Sequence, residues 1–447
     1  MEPMVHDLRS AFRFLDHFVN HEAAAGRIHG LSLEAMRGLV EVMGDPQRDI
    51  RSIHVTGTNG KGSVSAMASS LLTASGLKVG GYSSPHVETV CERLTLGGEM
   101  ISEESFIALM ADLERYVSVA PQRPSYFELL TAAALIWFSN EAVEAAVVEV
   151  GLLGRYDATN VIDSEVSVVT NIGRDHTDGT GDWRRDIAME KAGIIRPGCP
   201  LVLGETSIDL RDVFVAESPD PLLERGVDFG VRGIELAVGG QLLDLWTPTG
   251  DHDGIFLPVH GSHQADNAVV ALTAVEAFLD AALGVDVVAE GFDSVAIPGR
   301  MEVVATEPLV VLDGAHNQQA AKALVATVPE VFGAVRRIVV IGLLGPREPE
   351  EFIDELVPLA PDLVITCTAP SPRALRADEL ARLAKQRGMA TEAVADATDA
   401  VRLAVTVADE ADLVLVTGTF YVLSSAREAL TALGGSSAVG DFGELET

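Results

Sequence analysis

The chain has 447 residues, of which 47% are hydrophobic and 22% charged, so it is long enough for two or three globular domains. Its formal net charge of −34 disfavours nucleic acid as a partner, because the sequence offers no basic patch that could neutralise phosphates. No apolar run reaches the ~18 residues of a membrane span, so we expect a soluble cytoplasmic protein that makes no membrane contact.

The first informative element is a predicted strand at Ile53–Val55 that leads into a glycine-rich turn, Thr-Gly-Thr-Asn-Gly-Lys-Gly-Ser over residues 56–63. Helical periodicity then continues to Gly76. A strand, a glycine loop and a helix together present backbone N–H groups and a helix N-terminus to a phosphate, and Lys61 would add a positive charge. Two residues separate Gly57 from Gly60, whereas the usual Walker A motif has four there, so an ordinary glycine turn remains the alternative.

Short β-branched runs alternate with helical patterns along most of the chain, which predicts parallel sheets with crossover helices. Between Ser207 and His260, glycine-punctuated short strands over residues 226–245 predict a small antiparallel insertion, and a helix follows at Asn267–Leu283. The predicted strands of the parallel sheets are Ile53–Val55, Ala145–Val150, Val166–Asn171, Leu201–Leu203, Leu309–Leu312, Arg337–Ile341, Leu363–Thr366 and Asp412–Thr417.

A break at Ile297–Arg300 marks the predicted domain boundary. The fold class is therefore α/β, with a P-loop-type parallel-sheet ATPase domain over residues 1–297 and a smaller Rossmann-like α/β domain over residues 298–433. The glycine-, serine- and acid-rich tail, residues 434–447, is predicted to be disordered.

Polar residues follow several predicted strands at the point where each strand ends. Glu149 ends one strand, His176 follows the strand that ends at Asn171, and His316 follows the strand that ends in Asp313. A lone buried Glu or His is more often a core residue, but several polar strand ends at one sheet edge predict a shared ligand site. Glu149 and His176 would supply one oxygen and one nitrogen to Mg²⁺, which takes few protein ligands beside phosphate oxygens.

The segment 187–198 predicts a helix that ends at Gly193 and carries the pair Glu190–Lys191. Such a pair is typical of an exposed helix surface. From residue types alone, Lys191 therefore receives no functional role.

Many short motifs of this chain occur, in the same order, in one known family. The chain resembles the folylpolyglutamate synthase/dihydrofolate synthase family of the Mur ligase superfamily over about residues 10–430. The compressed loop Thr-Gly-Thr-Asn-Gly-Lys is that superfamily's own variant. The motifs are the glycine loop, Ser83–His86, Glu92-Arg93, Glu149–Leu152, Arg155, Asp157–Asn160, Asn171–Gly173, Asp175–Thr177, Glu190–Ile195, His263-Gln264, Pro298–Arg300 and Asp313–Asn317.

The resemblance implies an ATP-dependent ligase that joins L-glutamate to a folate or pteroate carboxylate through an acyl phosphate. The first domain would be the ATP-binding Mur-ligase-like central domain. The cofactors implied are ATP and Mg²⁺, with a carbamate on Lys191 and a monovalent cation as further groups. We expect small-molecule partners and a monomer.

The resemblance also assigns roles to individual residues of this sequence. Lys61, Glu149, His176 and Lys191 would be catalytic, and Ser84, Glu149, His176 and Lys191 would hold the metal. ATP would contact Thr58, Asn59, Gly60, Lys61, Gly62, Ser63, Asn267, Arg300 and Asp313. The substrates would contact Phe127, Glu128, Tyr156, Asp157 and Ala158 on the pterin side, and His316 and Thr419 on the glutamate side.

The chain departs from the family pattern at several positions. Leu153 stands where the family has a glycine, Gly345–Glu348 replaces an Asp-Lys-Asp sequence, Thr419 replaces a serine, and Arg174 replaces an apolar residue. These changes lie on the acceptor and amino-acid surfaces, whereas the phosphate and metal residues are retained. The alternatives are a related ligase for another acid or amino acid, a small-molecule kinase, and a non-catalytic nucleotide-binding protein.

Overall fold

The structure is a computed structural model that describes residues 5–20, 32–174, 181–345 and 348–433. The predicted tail, residues 434–447, lies outside them. Within these ranges there is no helix with both the length and the apolar character needed to span a bilayer. The chain divides into two compact units, one that runs to Pro258 and includes Ser262–Ala296, and one formed by Val259–Gly261 and the chain from Ile297 onward.

The first unit alternates strands and helices along the chain. Its helices are α1 (Leu8–Asp16), α2 (Glu34–Val42), α3 (Lys61–Ala74), α4 (Glu103–Val119), α5 (Tyr126–Asn140), α6 (Trp183–Ala192), α7 (Arg211–Val215), α8 (Ser262–Leu279) and α9 (Val285–Asp293). Its strands are β1 (Ser52–Thr56), β2 (Val79–Tyr82), β3 (Leu94–Leu96), β4 (Glu99–Met100), β5 (Ala145–Glu149), β6 (Val166–Val169), β7 (Leu201–Leu203), β8 (Leu222–Glu224), β9 (Gly230–Ala237), β10 (Gly240–Thr247) and β11 (Gly250–Leu257).

Strands β1 to β8 form one sheet among the described residues, in the order β4-β3-β2-β5-β1-β6-β7-β8. In this order, the neighbouring strands β2, β5, β1, β6, β7 and β8 all pair in parallel. Strands β3 and β4 pair antiparallel and form one edge of the sheet. Strand β1 is central, with Val55 opposite Glu149 of β5 and Thr56 opposite Val169 of β6. The carboxyl ends of β1, β2, β5 and β6 therefore meet at one edge, where ligands bind in open α/β sheets.

The small antiparallel insertion lies within the predicted segment, residues 207–260. Strands β9, β10 and β11 form a separate antiparallel sheet that extends to Leu257, whereas the strands recognised in the sequence pattern end at residue 245. Strand β11 was missed because Asp251, His252, Asp253 and Gly254 interrupt its apolar pattern.

The second unit is a smaller α/β fold. Its helices are α10 (Gln318–Val331), α11 (Pro349–Leu356), α12 (Ala377–Gln386), α13 (Ala397–Val407) and α14 (Phe420–Ala432), and its strands are β12 (Glu302–Thr306), β13 (Leu309–Asp313), β14 (Arg337–Ile341), β15 (Leu363–Thr368), β16 (Thr391–Asp396) and β17 (Leu413–Thr417). In the described part, the strand order is β12-β13-β17-β14-β15-β16, and β12 alone runs antiparallel. Asp313 lies opposite Thr417, so the residues that follow β13 and β17 share one sheet edge.

Candidate active site

The glycine loop at residues 57–60 joins β1 to α3, and the two residues that follow β6 fix its position through hydrogen bonds to Asn59. The N–H of Asn59 donates to Asn171 Oδ1 at 3.0 Å, and its carbonyl accepts from Thr170 Oγ1 at 2.6 Å. Gly57 and Gly60 have φ values of +149° and +83°, which side chains disfavour. Helix α3 begins at Lys61, so its free N–H groups point toward the loop.

Gly60 lies directly against Asn267 of α8. A Cβ at Gly60 would stand 2.5 Å from Asn267 Oδ1, too close for either group to remain in place. Asn267 is itself fixed, because its amide donates to Oε1 of the buried Gln264 at 3.0 Å. The loop and α8 therefore form one side of the candidate site.

We expect the variant Gly60→Ala to lose most of its affinity for MgATP, because the new Cβ must displace Asn267 or the loop. Gly76→Ala is the matched control, since Gly76 has a similar φ of +85° but no atom within 4 Å of the place that an alanine Cβ would occupy. Both variants should lose about 1 kcal/mol of unfolding free energy from backbone strain. Equal nucleotide affinity of the two variants, measured by calorimetry, would contradict the tight fit at Gly60.

Two lysines converge on the glycine loop from different helices. Lys61 Nζ donates to the Gly57 carbonyl at 3.1 Å, and Lys191 Nζ donates to the same carbonyl at 2.9 Å. Lys191 is 1% exposed. The interpretation of Lys191 as an exposed surface residue was therefore wrong, because α6 turns this side chain toward β1 and away from solvent.

A buried carboxylate lies beside the start of α3. Glu149, the last residue of β5, is 3% exposed, and its Oε2 accepts the N–H of Ser84 at 3.2 Å. A Cβ at Gly62 would lie 3.6 Å from the same oxygen. Glu149, Ser84 and the first turn of α3 are thus brought together at the carboxyl edge of the sheet.

His176, the nitrogen ligand expected for the metal, lies outside the described residues. Within the described ranges, no group of three or more His, Cys, Asp and Glu side chains is placed to hold a metal ion. Two of the residues expected to hold the metal, Glu149 and Ser84, lie side by side near the start of α3, where a carboxylate and a hydroxyl are the available oxygen groups. This sparse oxygen set suits Mg²⁺, which retains water and takes phosphate oxygens as its other ligands.

The loop over residues 150–160 follows β5 at the sheet edge, precedes β6, and carries three of the expected pterin-side residues. Tyr156 is 47% exposed, whereas Asp157 and Ala158 are buried. Asp157 accepts hydrogen bonds from the N–H groups of Leu152 and Thr159 at 2.8 and 3.0 Å. Burial raises the pKa of Asp157, and these hydrogen bonds oppose that shift.

The other two pterin-side residues lie at the start of α5. Phe127 is buried, and its ring occupies the space that a Cβ at Gly151 would need. Glu128 accepts the N–H of Ser125 at 2.7 Å and so caps the helix. A cavity of about 910 Å³ borders the 150–160 loop at Arg155, Tyr156 and Asn160.

Leu153 occupies a backbone conformation that normally belongs to glycine. Its φ is +58°, and its carbonyl accepts from Thr56 Oγ1 at 2.8 Å, which holds the turn against β1. A non-glycine residue in this region costs about 1–2 kcal/mol. The departure from the family's glycine at this position therefore carries backbone strain.

We expect Leu153→Gly to be more stable than Leu153→Ala by about 1 kcal/mol. Both variants remove the leucine side chain, and glycine alone relieves the strain at φ +58°. Urea unfolding of the two variants measures the difference. An alanine variant as stable as the glycine variant would show that the turn is unstrained.

In the second unit, the expected nucleotide and glutamate residues follow β13 and β17. Asp313 is buried and accepts the N–H groups of Met301 and Ala315 at 3.0 and 2.8 Å. Burial raises the pKa of Asp313, while the positive charge of Arg300 opposes the shift. The Arg300 guanidinium lies 4.8 Å from the centre of the Phe420 ring.

His316 and Thr419 lie at the same edge of this second sheet. His316 Nδ1 bonds to the Gly314 carbonyl at 2.7 Å, and Thr419 is the buried residue before α14. Gly345 follows the neighbouring β14, and its N–H donates to the Arg373 carbonyl at 2.8 Å. Pro346 and Arg347, within the altered sequence 345–348, lie outside the described residues.

Each of the two units matches a known family of domains. Two family descriptions match, the Mur ligase middle domain over residues 55–201 and the Mur ligase glutamate ligase domain over residues 299–420. The dihydrofolate synthase/folylpolyglutamate synthase of Mycobacterium tuberculosis is 39% identical over 380 residues, which cover 80% of this chain and 78% of that protein. The chain belongs to the folylpolyglutamate synthase/dihydrofolate synthase family. The predicted family and the predicted ligase class are thereby confirmed.

Solved structures of family members have the same fold. The Mycobacterium tuberculosis folylpolyglutamate synthase complexed with ADP has a TM-score of 0.88 and 34% identity, with 96% of this chain and 98% of that chain covered. A bifunctional folylpolyglutamate synthase/dihydrofolate synthase with Mn, AMPPNP and L-glutamate bound has a TM-score of 0.82 and 30% identity, with coverage of 96% and 99%. The predicted α/β fold class is confirmed.

Sequence reasoning missed several residues that shape the site. Thr170 anchors the glycine loop, and Gln264 fixes Asn267, although neither received a role. Thr170 directly precedes the motif Asn171–Gly173 and Gln264 lies within the motif His263-Gln264, so these motifs were the available signal. His54 and Thr159 received no individual role either, although Thr159 lies within the motif Asp157–Asn160. A histidine in the strand before a glycine loop, buried in the structure, was the feature that could have marked them.

Proposed function

We propose that this chain is an ATP-dependent ligase that joins L-glutamate to the carboxylate of a folate or pteroate, as a dihydrofolate synthase, a folylpolyglutamate synthase or both. The observation that carries the proposal is the convergence of Lys61 and Lys191 on the glycine loop, with Glu149 beside the first turn of α3, in a member of this family. Amide formation from a carboxylate needs activation, and ATP supplies it.

The glycine loop would bind the phosphates of ATP. Residues Thr58–Ser63 would surround the phosphate oxygens with N–H groups of the loop and of the first turn of α3, while Lys61 neutralises charge. Asn267 would contact the nucleotide from α8, since it lies against Gly60. In the second unit, Arg300 and Asp313 are proposed as further nucleotide contacts.

Mg²⁺ would be held by Glu149, Ser84 and His176, together with a carbamate formed on Lys191. When bound, the metal would neutralise charge on the transferring phosphoryl group. The carbamate is favoured by the position of Lys191, whose Nζ lies within about 6 Å of Lys61 Nζ because both donate to Gly57 O. Two ammonium groups repel at this distance, whereas a carbamate would attract Lys61. A monovalent cation stays a prediction from the resemblance.

The acceptor would lie along Phe127, Glu128, Tyr156, Asp157 and Ala158, next to the cavity at the 150–160 loop. Its carboxylate oxygen would attack the γ-phosphorus of ATP, which forms an acyl phosphate and releases ADP. The glutamate amine, placed near His316 and Thr419, would then attack the acyl carbon and release phosphate. Lys61 would stabilise the negative charge that develops during the transfer.

Isotope transfer tests this reaction. With ¹⁸O in the acceptor carboxylate, one labelled oxygen should appear in inorganic phosphate for each amide formed, because the acyl phosphate passes that oxygen to phosphorus. A small-molecule kinase would instead give a phosphorylated product and no amide. Unlabelled phosphate accompanied by amide would contradict the acyl-phosphate route.

A further inference from the structure

A chain of three buried polar side chains runs from the central strand to the 150–160 loop. His54 of β1 lies with its Nε2 at 2.8 Å from Thr159 Oγ1, and Thr159 Oγ1 lies 2.5 Å from Asp157 Oδ1. His54 and Thr159 are fully buried, and Asp157 is 4% exposed. Buried polar groups linked in this way restrict each other's positions strongly.

The order of the hydrogen bonds follows from what each group can donate. Burial raises the pKa of Asp157, but both of its oxygens already accept a backbone N–H, Oδ2 from Leu152 and Oδ1 from Thr159. Oδ1 is thus placed as an acceptor toward Thr159, and the single hydroxyl proton of Thr159 points to it. Thr159 can then accept from His54, which places the histidine proton on Nε2. Within the described residues His54 Nδ1 has no hydrogen-bond partner, and a bare lone pair there is less costly than a buried N–H.

The charge state of the ring agrees with this order. Burial, with the positive charge of Arg196 nearby, lowers the pKa of His54 to about 3. A neutral imidazole has one N–H, and in His54 this N–H is the one on Nε2 that donates to Thr159. The ring therefore donates to Thr159 over the whole physiological pH range.

The same strand contacts the loop at a second point. Thr56, two residues after His54 and on the same face of β1, donates to the Leu153 carbonyl at 2.8 Å. The loop also contacts α6, because the N–H of Arg155 donates to the Glu190 carbonyl at 2.8 Å, next to Lys191. The strand that leads into the glycine loop thus holds the loop that carries Tyr156 and Ala158.

We infer that His54 is a positioning residue for the acceptor, and that its Nε2–H, acting through Thr159 and Asp157, fixes the 150–160 loop relative to the glycine loop. This inference rests on the proposed function for its assignment of the acceptor to that loop. The hydrogen bond that the structure gives His54 is to Thr159, a residue assigned to neither the nucleotide nor the acceptor. Its effect should therefore appear in acceptor binding and not in nucleotide binding.

The kinetic test compares two matched pairs of variants. Thr159→Val keeps the side-chain shape and removes the hydroxyl, and should raise the KM for the acceptor about tenfold while the KM for ATP changes less than about twofold. Thr159→Ser should restore the acceptor KM. His54→Gln, which can present an N–H near the position of Nε2, should be closer to the wild type than His54→Leu. Equal changes in both KM values, or an unchanged acceptor KM in Thr159→Val, would overturn the inference.

A spectroscopic test is independent of ligase activity. In ¹⁵N-histidine-labelled protein, the resonances lost in His54→Gln identify His54, and we expect a neutral Nε2–H tautomer that does not titrate between about pH 5 and 9. An Nδ1–H tautomer or a titrating ring would overturn the inference. If the wild type adds glutamate to no acceptor, the proposed function fails, and the tautomer still decides whether the hydrogen-bonded chain exists as described.

Discussion

Lys61→Ala should lower ATP turnover by about 10³-fold. Lys61 is the first residue of α3, and its Nζ lies over the glycine loop, where it donates to the Gly57 and Thr58 carbonyls. When ATP binds, its phosphate oxygens would replace these carbonyls as the hydrogen-bond acceptors of the Lys61 ammonium group. Alanine removes that positive charge from the phosphates. ADP release in the presence of acceptor and L-glutamate measures the effect.

Lys78→Ala is the control for a general effect of charge on this acidic protein. Lys78 lies at the surface, where its Nζ pairs with Glu141 at 3.0 Å, and such exposed pairs contribute about 0–1 kcal/mol. This control should turn over ATP at the wild-type rate. A Lys61→Ala variant with near-normal turnover would contradict the assignment of the glycine loop to the phosphates.

Lys191→Ala should lower ligation by about 10²-fold or more, and short carboxylic acids such as acetate should restore part of the rate. The side chain is buried and ends at the Gly57 carbonyl, so alanine leaves a space beside the glycine loop that a small carboxylate can enter. The added acid would replace the anionic group of the carbamate. Rates with and without acetate measure the rescue.

Lys191→Met is the matched control, because methionine fills the same space and gives a small acid no room. It should be as inactive as the alanine variant and should not respond to acetate. ¹³C NMR of the wild type in labelled bicarbonate should also show a lysine carbamate. Absence of both the rescue and the carbamate signal would show that Lys191 acts as an unmodified ammonium group.

The sheets could be predicted where strands are buried on both faces. Leu201–Leu203 and Arg337–Ile341 have the predicted bounds, because continuous β-branched runs mark parallel strands. Strand β2 was missed because it contains Gly80 and Gly81, which disfavour strands. The structure explains these glycines, since a Cβ at Gly80 would lie 2.6 Å from the Phe138 ring. Edge strand β16 was missed because its exposed polar residues lack the pattern of a core strand.

The candidate site could be predicted in part from strand ends. Glu149 and Asp313 both lie at the carboxyl edge of a parallel sheet, as expected. The surface interpretation of Lys191 failed because residue types on a short helix do not reveal which neighbour the helix packs against. The role of His54 could not be predicted, since its contact with Thr159 joins residues 105 positions apart in the chain.

The central claim, glutamate ligation to a folate-type carboxylate, is tested most directly by product mass. The chain would be incubated with MgATP and L-glutamate together with dihydropteroate, with tetrahydrofolate, or without an acceptor. We predict ADP release that depends on an acceptor and a mass gain of one or more glutamate residues on at least one pterin. ADP release with neither pterin extended would contradict the claim and would direct attention to Leu153 and the sequence 345–348 as the determinants of a different substrate.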